Sequence, residues 1–287
     1  MIDNLIDGLI NKNIISVSKL ITCIENNSPQ SVQINNAVFP LINNSYRIGI
    51  TGPPGAGKST ITNLLIKHFR ALKKSIAILL IDPSSPFSGG ALLGDRIRMS
   101  MHHDDPDVFI RSIATRGSKG GLSSNSSEIA DILDAFGFDI IIFETVGVGQ
   151  IEVDVIEQVD TVILTLVPES GDDIQMMKAG VIEIADIFLI NKSDRKDSDK
   201  LYASLENILQ MSSNKSSWTS PIIKTIATKD IGVDVLVKEL LKHQKFILTS
   251  DSKINKYNDR YLNKINNCLT EEIKNKFWSN KNQKILK

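Results

Sequence analysis

Eight consecutive residues, Gly52-Pro53-Pro54-Gly55-Ala56-Gly57-Lys58-Ser59, limit the folds open to this chain of 287 residues more than any other feature. They fit the pattern GxxxxGK[ST], which works only where a strand runs out into a loop and a helix starts straight after it. The flanks agree. Apolar residues 48–51 precede the motif, and a helical period opens at Thr60. In that setting the glycines let backbone N–H groups turn inward around phosphate oxygens, and the helix N-terminus adds partial positive charge. Lys58 would pair with β and γ phosphates, and the Ser59 hydroxyl would ligate Mg2+.

The rest of the chain repeats the strand-then-helix rhythm. Apolar runs occur at 77–81, 108–113, 140–143, 162–167, 187–190 and 222–226. They are largely unbroken rather than alternating, which suits strands covered by helices on both faces. Ile61, Leu64, Leu65, Phe69 and Leu72 form the apolar stripe of the helix after the motif. This alternation predicts an α/β fold: a mostly parallel P-loop NTPase sheet flanked by helices. Ligands of such sheets bind beyond the carboxyl ends of the strands.

Residues 1–46 read as an N-terminal helical lead-in, with apolar spacing over 2–10 and a second helical stretch over 17–25 that Pro29 stops. Residues 47–248 carry the strands. From 249 to 287 Ile254, Tyr257, Tyr261, Ile265, Leu269, Ile273 and Phe277 recur every three or four positions, which predicts one long C-terminal helical arm.

Composition removes several function classes. Lys+Arg and Asp+Glu are both 33, so no global basic field favours nucleic acid. Cys23 and Cys268 are the only cysteines, too few for a disulfide framework or a thiolate zinc site. No apolar stretch approaches the roughly 18 residues of a membrane span. The first residues carry Asp3 where a secretory signal would be basic. These features predict a cytoplasmic protein with no nucleic-acid or membrane partner.

A second motif, Asn191-Lys192-Ser193-Asp194, follows the run 187–190. A carboxylate such as Asp194 accepts hydrogen bonds from both guanine N1–H and its 2-amino group, and adenine offers neither in that geometry. The Lys192 stem can lie on the purine. Asp82 and Glu144 each close a strand, which aims hard carboxylates at the phosphate loop, where Mg2+ would want them. Thr145-Val146-Gly147-Val148-Gly149-Gln150 after Glu144, and the glycine-rich 89–96 and 115–121, read as loops free to move. Arg96, Arg98, Arg111 and Arg116 are candidates for neutralising phosphate charge, with a structural role as the plain alternative. His102-His103-Asp104-Asp105 reads as a solvated turn rather than a metal site.

Taken together, GPPGAGKST (52–60), DPSSPFSGGALLGDRIRM (82–99), FIRSIATRG (109–117), FETVGVGQIE (143–152), VPESGDDIQMMKAGVIEIADIF (167–188) and NKSD (191–194) resemble the MeaB/ArgK-type GTPases, chaperones of adenosylcobalamin-dependent methylmalonyl-CoA mutase. The likeness runs from about 17 to 247 and more loosely beyond. It implies a GTP/GDP site made of Gly52, Pro53, Pro54, Gly55, Ala56, Gly57, Lys58, Ser59 and Thr60. Guanine would be read by Asn191, Lys192 and Asp194, with Ile226, Ala227 and Thr228 closing the pocket. It implies Mg2+ held by Ser59 with Asp82, Asp95 and Glu144 nearby, and Lys58, Glu144 and Asp95 as the catalytic candidates. Segments 82–99 and 144–152 would be switches, and Asp172, Gln175 and Lys178 would sense a partner or the nucleotide state. The resemblance further implies a homodimer joined through the C-terminal arm. Two positions depart from the pattern: Ile226 stands where serine is usual, leaving the backbone N–H of Ala227, and Lys119 replaces an apolar residue.

The function expected is a slow GTP-hydrolysing switch that gates cofactor loading of an adenosylcobalamin-dependent acyl-CoA mutase, or protects the loaded enzyme. A nickel or cobalt insertion GTPase and a P-loop kinase are the alternatives. The chain's four histidines and lack of CxxC argue against the first, and Asp194 argues against the second.

Overall fold

The computed structural model describes residues 2–43, 45–82, 102, 104–114, 125–145, 158–168, 185–211, 218–250 and eight helical positions between 262 and 277. The chain divides into two compact units, Met1–Phe246 and Ile247–Lys287.

In the first unit the apolar runs become seven strands of one parallel sheet: β1 (Tyr46–Thr51), β2 (Ile76–Asp82), β3 (Val108–Ala114), β4 (Ile140–Thr145), β5 (Thr161–Leu166), β6 (Ile187–Ile190) and β7 (Ile222–Lys224). Their order is β3-β2-β4-β1-β5-β6-β7, and every described pairing is parallel. β1 is central. The chain leaves it toward β2, works back to β4, and crosses to β5 on the other side. The loop after β1 therefore opens at the carboxyl edge, where the strand order reverses.

Seven α-helices are described: α1 (Ile2–Ile10), α2 (Ile14–Glu25), α3 (Ser31–Val38), α4 (Lys58–Ala71), α5 (Ser126–Phe136), α6 (Ser198–Met211) and α7 (Val233–Thr249). Successive residues of a strand face opposite sides, and the core divides accordingly. Ile48 and Ile50 of β1, Ile78 and Leu80 of β2, and Ile140 and Ile142 of β4 pack with Ile61, Leu65 and Phe69 of α4 and Leu236 and Leu240 of α7. Ala77, Leu79, Ile141 and Phe143 point the other way and pack with α2, α3 and α5. On that second side Leu164, Phe188 and Ile190 meet Leu201 and Leu205 of α6. Helices on both faces explain why the strands read as unbroken apolar runs.

The N-terminal helices belong to this core. Leu9, Val17, Leu20, Ile21, Ile24, Ile34 and Val38 are buried. Asn13 caps α2, its side-chain oxygen accepting from the N–H groups of Ile15 (2.9 Å) and Ser16 (3.2 Å). Asp134 of α5 then receives the chain as it enters β1, accepting from the N–H groups of Asn43 (2.8 Å) and Ser45 (3.0 Å).

Beside it lies a buried ion cluster. Arg47 of β1 is 3% exposed and reaches Asp131 at 2.8 Å and Asp134 at 3.6 Å. Burial alone would lower the Arg47 guanidinium, but Asp131, Asp134 and Asp160 outweigh it and hold it above its ordinary value. Removing one partner from such a cluster costs about 3–5 kcal/mol, because a charge is left buried. At the same amino edge of the sheet, the Tyr46 hydroxyl donates to the Leu240 carbonyl (3.0 Å) and meets Thr161, which bonds His243 of α7 at 2.7 Å. Burial pushes the Tyr46 phenol above its usual range. Trp218 covers His243 at 4.5 Å between ring centres. These contacts fasten α7 to the sheet.

In the second unit Leu262, Ile265, Asn266, Leu269, Thr270, Ile273, Lys276 and Phe277 are helical. The apolar ones recur every three or four residues, and all of them are exposed.

Candidate functional site

The loop after β1 turns on three left-handed glycines, Gly52 (φ +137°), Gly55 (φ +75°) and Gly57 (φ +92°). At two of them no side chain fits. A Cβ on Gly52 would stand 2.0 Å from the Thr165 carbonyl oxygen, and one on Gly57 would stand 2.3 Å from the Asn191 amide nitrogen. Glycine is thus required both for the backbone conformation and for the close approach of neighbouring chain.

Gly57 precedes α4, which begins at Lys58, two residues before the apolar period suggests. The Lys58 ammonium is buried in the loop, donating to the carbonyls of Gly52 (2.6 Å) and Pro53 (3.1 Å). Next to it the Ser59 hydroxyl donates to the carboxylate of Glu144. Glu144 is 1% exposed near the end of β4 and lies opposite Ile50 in the ladder. Thr145 bonds back to the end of β1, to the Ile50 carbonyl and the Thr51 hydroxyl, both at 3.3 Å. A serine hydroxyl and a buried carboxylate at a helix N-terminus form a hard-oxygen set of the kind Mg2+ takes.

The second motif docks directly on the first. The Asn191 amide donates to the Ala56 carbonyl at 2.8 Å, and its oxygen accepts from the Ala227 N–H (3.1 Å) and the Thr225 hydroxyl (3.2 Å). The Lys192 ammonium donates to the Gly55 carbonyl at 2.8 Å, with Lys192 itself at φ +56°. Ser193 N–H donates to the Thr225 carbonyl at 3.0 Å, which sets the turn against the end of β7. Asp194 and Thr228 are exposed at this edge, and Ala227 is buried. Segments some 135 residues apart in sequence thus form one constellation.

Pro54, Gly55 and Thr60 are exposed and Pro53 is buried, all on the loop or the first turn of α4. Asp82 closes β2 as expected, but its side chain lies outside the described residues. Asp95, Arg96, Arg98, Arg116, Lys119, Asp172, Gln175 and Lys178 lie outside them too, as do segments 83–101 and 146–157. Arg111 is engaged elsewhere: it pairs with Glu25 of α2 and bonds the Thr22 hydroxyl at 3.2 Å, a structural role. Asp105 binds Arg70 at 2.8 Å, and no group of three metal-ligating side chains occurs among the described residues.

Sequence reasoning missed one group beside this site. Asp230, just past the 3-10 turn Ala227–Lys229, pairs with Lys67 and His68 of α4. Only its place two residues after Ile226-Ala227-Thr228 could have pointed to it.

With this geometry in view, the comparisons with known proteins are consistent. The family model of the methylmalonyl Co-A mutase-associated GTPase MeaB matches residues 17–282. A protein of Pyrococcus abyssi named as a GTPase is 47% identical, the match covering 86% of this chain and 77% of that one. The GTPase ArgK of Escherichia coli is 34% identical over 83% of this chain and 74% of its own. Among solved structures a LAO/AO transport system kinase superposes with a TM-score of 0.77 at 24% identity, covering 97% of this chain and 86% of that one; this likeness shows the fold. A family match over nearly the whole chain, carried by a phosphate loop and a guanine-type motif that touch each other, places the protein in the MeaB family of methylmalonyl-CoA mutase-associated GTPases.

Proposed function

We propose that the chain binds GTP with Mg2+ and hydrolyses it slowly, as a switch serving an adenosylcobalamin-dependent acyl-CoA mutase. The single observation that carries the nucleotide reading is the docking of Asn191 and Lys192 on the carbonyls of Ala56 and Gly55. It supports a reading in which Asp194, in the same turn, meets a guanine base whose phosphates lie in the loop.

In this reading residues 52–60 wrap the phosphates, and the amides at the start of α4 and the Lys58 ammonium balance their charge. Ser59 with Glu144 would hold Mg2+, together with Asp82 and Asp95, and the ion would neutralise charge on the β and γ oxygens. Asp194 would take guanine N1–H and the 2-amino group, and Ile226, Ala227 and Thr228 would close the pocket. Water attacks the γ phosphorus, the bond to the β-γ bridging oxygen breaks, and GDP and phosphate leave. The chain's own contribution is placement and charge balance rather than covalent chemistry.

The family's association with a mutase supports the client class. A homodimer built on the C-terminal arm is supported by the exposed stripe of Leu262, Ile265, Leu269, Ile273 and Phe277. A cytoplasmic site of action belongs to this reading; no helix among the described residues is long and apolar enough to cross a membrane.

The test is phosphate release measured alone and with a purified adenosylcobalamin-dependent methylmalonyl-CoA mutase. The expected result is low turnover alone and a rise of about ten-fold or more with the mutase, as when missing groups are supplied or ordered in trans. Equal rates would remove the switch reading.

A further inference from the structure

Asp230 occupies a backbone conformation that suits glycine better. Its φ is +55°, in the left-handed region that aspartate enters more readily than most residues with a Cβ. It follows the 3-10 turn Ala227–Lys229 and precedes the antiparallel bridge between Ile226 and Ile231 that closes the loop. Asp197 shares this conformation, so what sets Asp230 apart is where its side chain reaches.

That side chain is held on both oxygens. Oδ2 accepts from the Lys67 ammonium at 2.7 Å, and Oδ1 lies 2.9 Å from Nε2 of His68. The two hydrogen bonds hold the Asp230 carboxyl below the usual carboxylate range. Both partners sit near the end of α4, whose first residue is Lys58 of the phosphate loop. The base-closing turn is therefore fixed to the phosphate-binding element at two points. Asn191 ties it at the front, through the Ala227 N–H and the Ala56 carbonyl. Asp230 ties it at the back, along the rigid length of α4.

We propose that Asp230, clamped by Lys67 and His68, is a positioning residue for the purine: it sets the 226–231 turn at the distance from the phosphate loop that a guanine nucleotide needs. The idea rests on the nucleotide reading above and adds a residue that acts through the turn rather than by touching the base.

Asp230→Gly separates strain from function, because glycine adopts the same φ freely while deleting the clamp. The expected result is a weakening of GDP binding by about five-fold, with KM for GTP raised to match and kcat changed less than two-fold, the scale usual for coupling through a supporting contact. Asp230→Asn, which tolerates the left-handed conformation and keeps a hydrogen-bonding group, should recover part of the loss. Lys67→Ala with His68→Ala removes the clamp from the helix side without touching the turn, and should reproduce the loss without adding to that of Asp230→Gly. The proposal is overturned if Asp230→Gly binds GDP as tightly as the native chain, if kcat falls as much as KM rises, or if the helix-side variant is silent. A native chain that binds no GDP would instead remove the nucleotide reading, and this proposal with it.

Discussion

Asp194→Asn is expected to move the nucleotide preference from guanine to xanthine. A carboxylate accepts from both N1–H and the 2-amino group of guanine. An amide keeps one acceptor and turns the other position into a donor, which meets the 2-amino group donor to donor. Xanthine carries a carbonyl there, and the pairing is restored. Hydrogen bonds to a charged group contribute about 1.5–3 kcal/mol each. Loss of one together with an introduced clash should therefore weaken GDP binding by about 10²-fold or more. Affinity for xanthosine diphosphate should rise in parallel. Asp194 is exposed at the edge of the turn, so the substitution leaves the core untouched. Parallel titrations of native and substituted chain with the two diphosphates check the outcome. An unchanged order of preference would mean that Asp194 does not read the base.

Lys58→Met should have the largest effect on turnover. The Lys58 ammonium is buried and held between the Gly52 and Pro53 carbonyls, at the centre of the loop's curve. Methionine keeps an unbranched apolar stem and removes the charge. Losing a preorganised donor aimed at transferring phosphate costs about 10²–10³ in kcat. The fold should survive, since Ile61, Leu65 and Phe69 anchor α4 independently of the loop. Single-turnover phosphate release measures the effect, with circular dichroism confirming the helix content. A rate within about three-fold of native would show that Lys58 does not act on the phosphates.

Particular residues show why some of this was readable in the sequence and some was not. The run Ile187–Ile190 matches its strand, because a strand covered on both faces is apolar throughout. β1 and β4 run further than their apolar runs, to Tyr46 and Thr145, because the ladder pairs backbone whatever the side chain is. β7 ends two residues early, at Lys224, since Thr225 and Ile226 leave the sheet to meet Asn191 and Ile231. Helix α3 went unread. Its Ser31–Val38 stretch is polar and short, and only burial of Ile34 and Val38 against the core gives it a reason to be helical.

The phosphate loop and the Asn191–Asp194 turn are local motifs whose spacing carries their chemistry, so sequence finds them. The Arg47 cluster with Asp131 and Asp134 and the Asp230 clamp with Lys67 and His68 pair residues far apart in the chain. No local pattern announces such pairs, and only the fold brings them together.

The account rests most heavily on one site taking both the phosphates and a guanine base. Isothermal titration of the native chain with GDP and with ADP, each with Mg2+, tests this directly. The account predicts saturable heat with GDP at one site per chain and at least about 10²-fold weaker binding of ADP, whose base offers the Asp194 carboxylate no matching pair of donors. Equal affinity for the two nucleotides, or no heat with GDP, would contradict it.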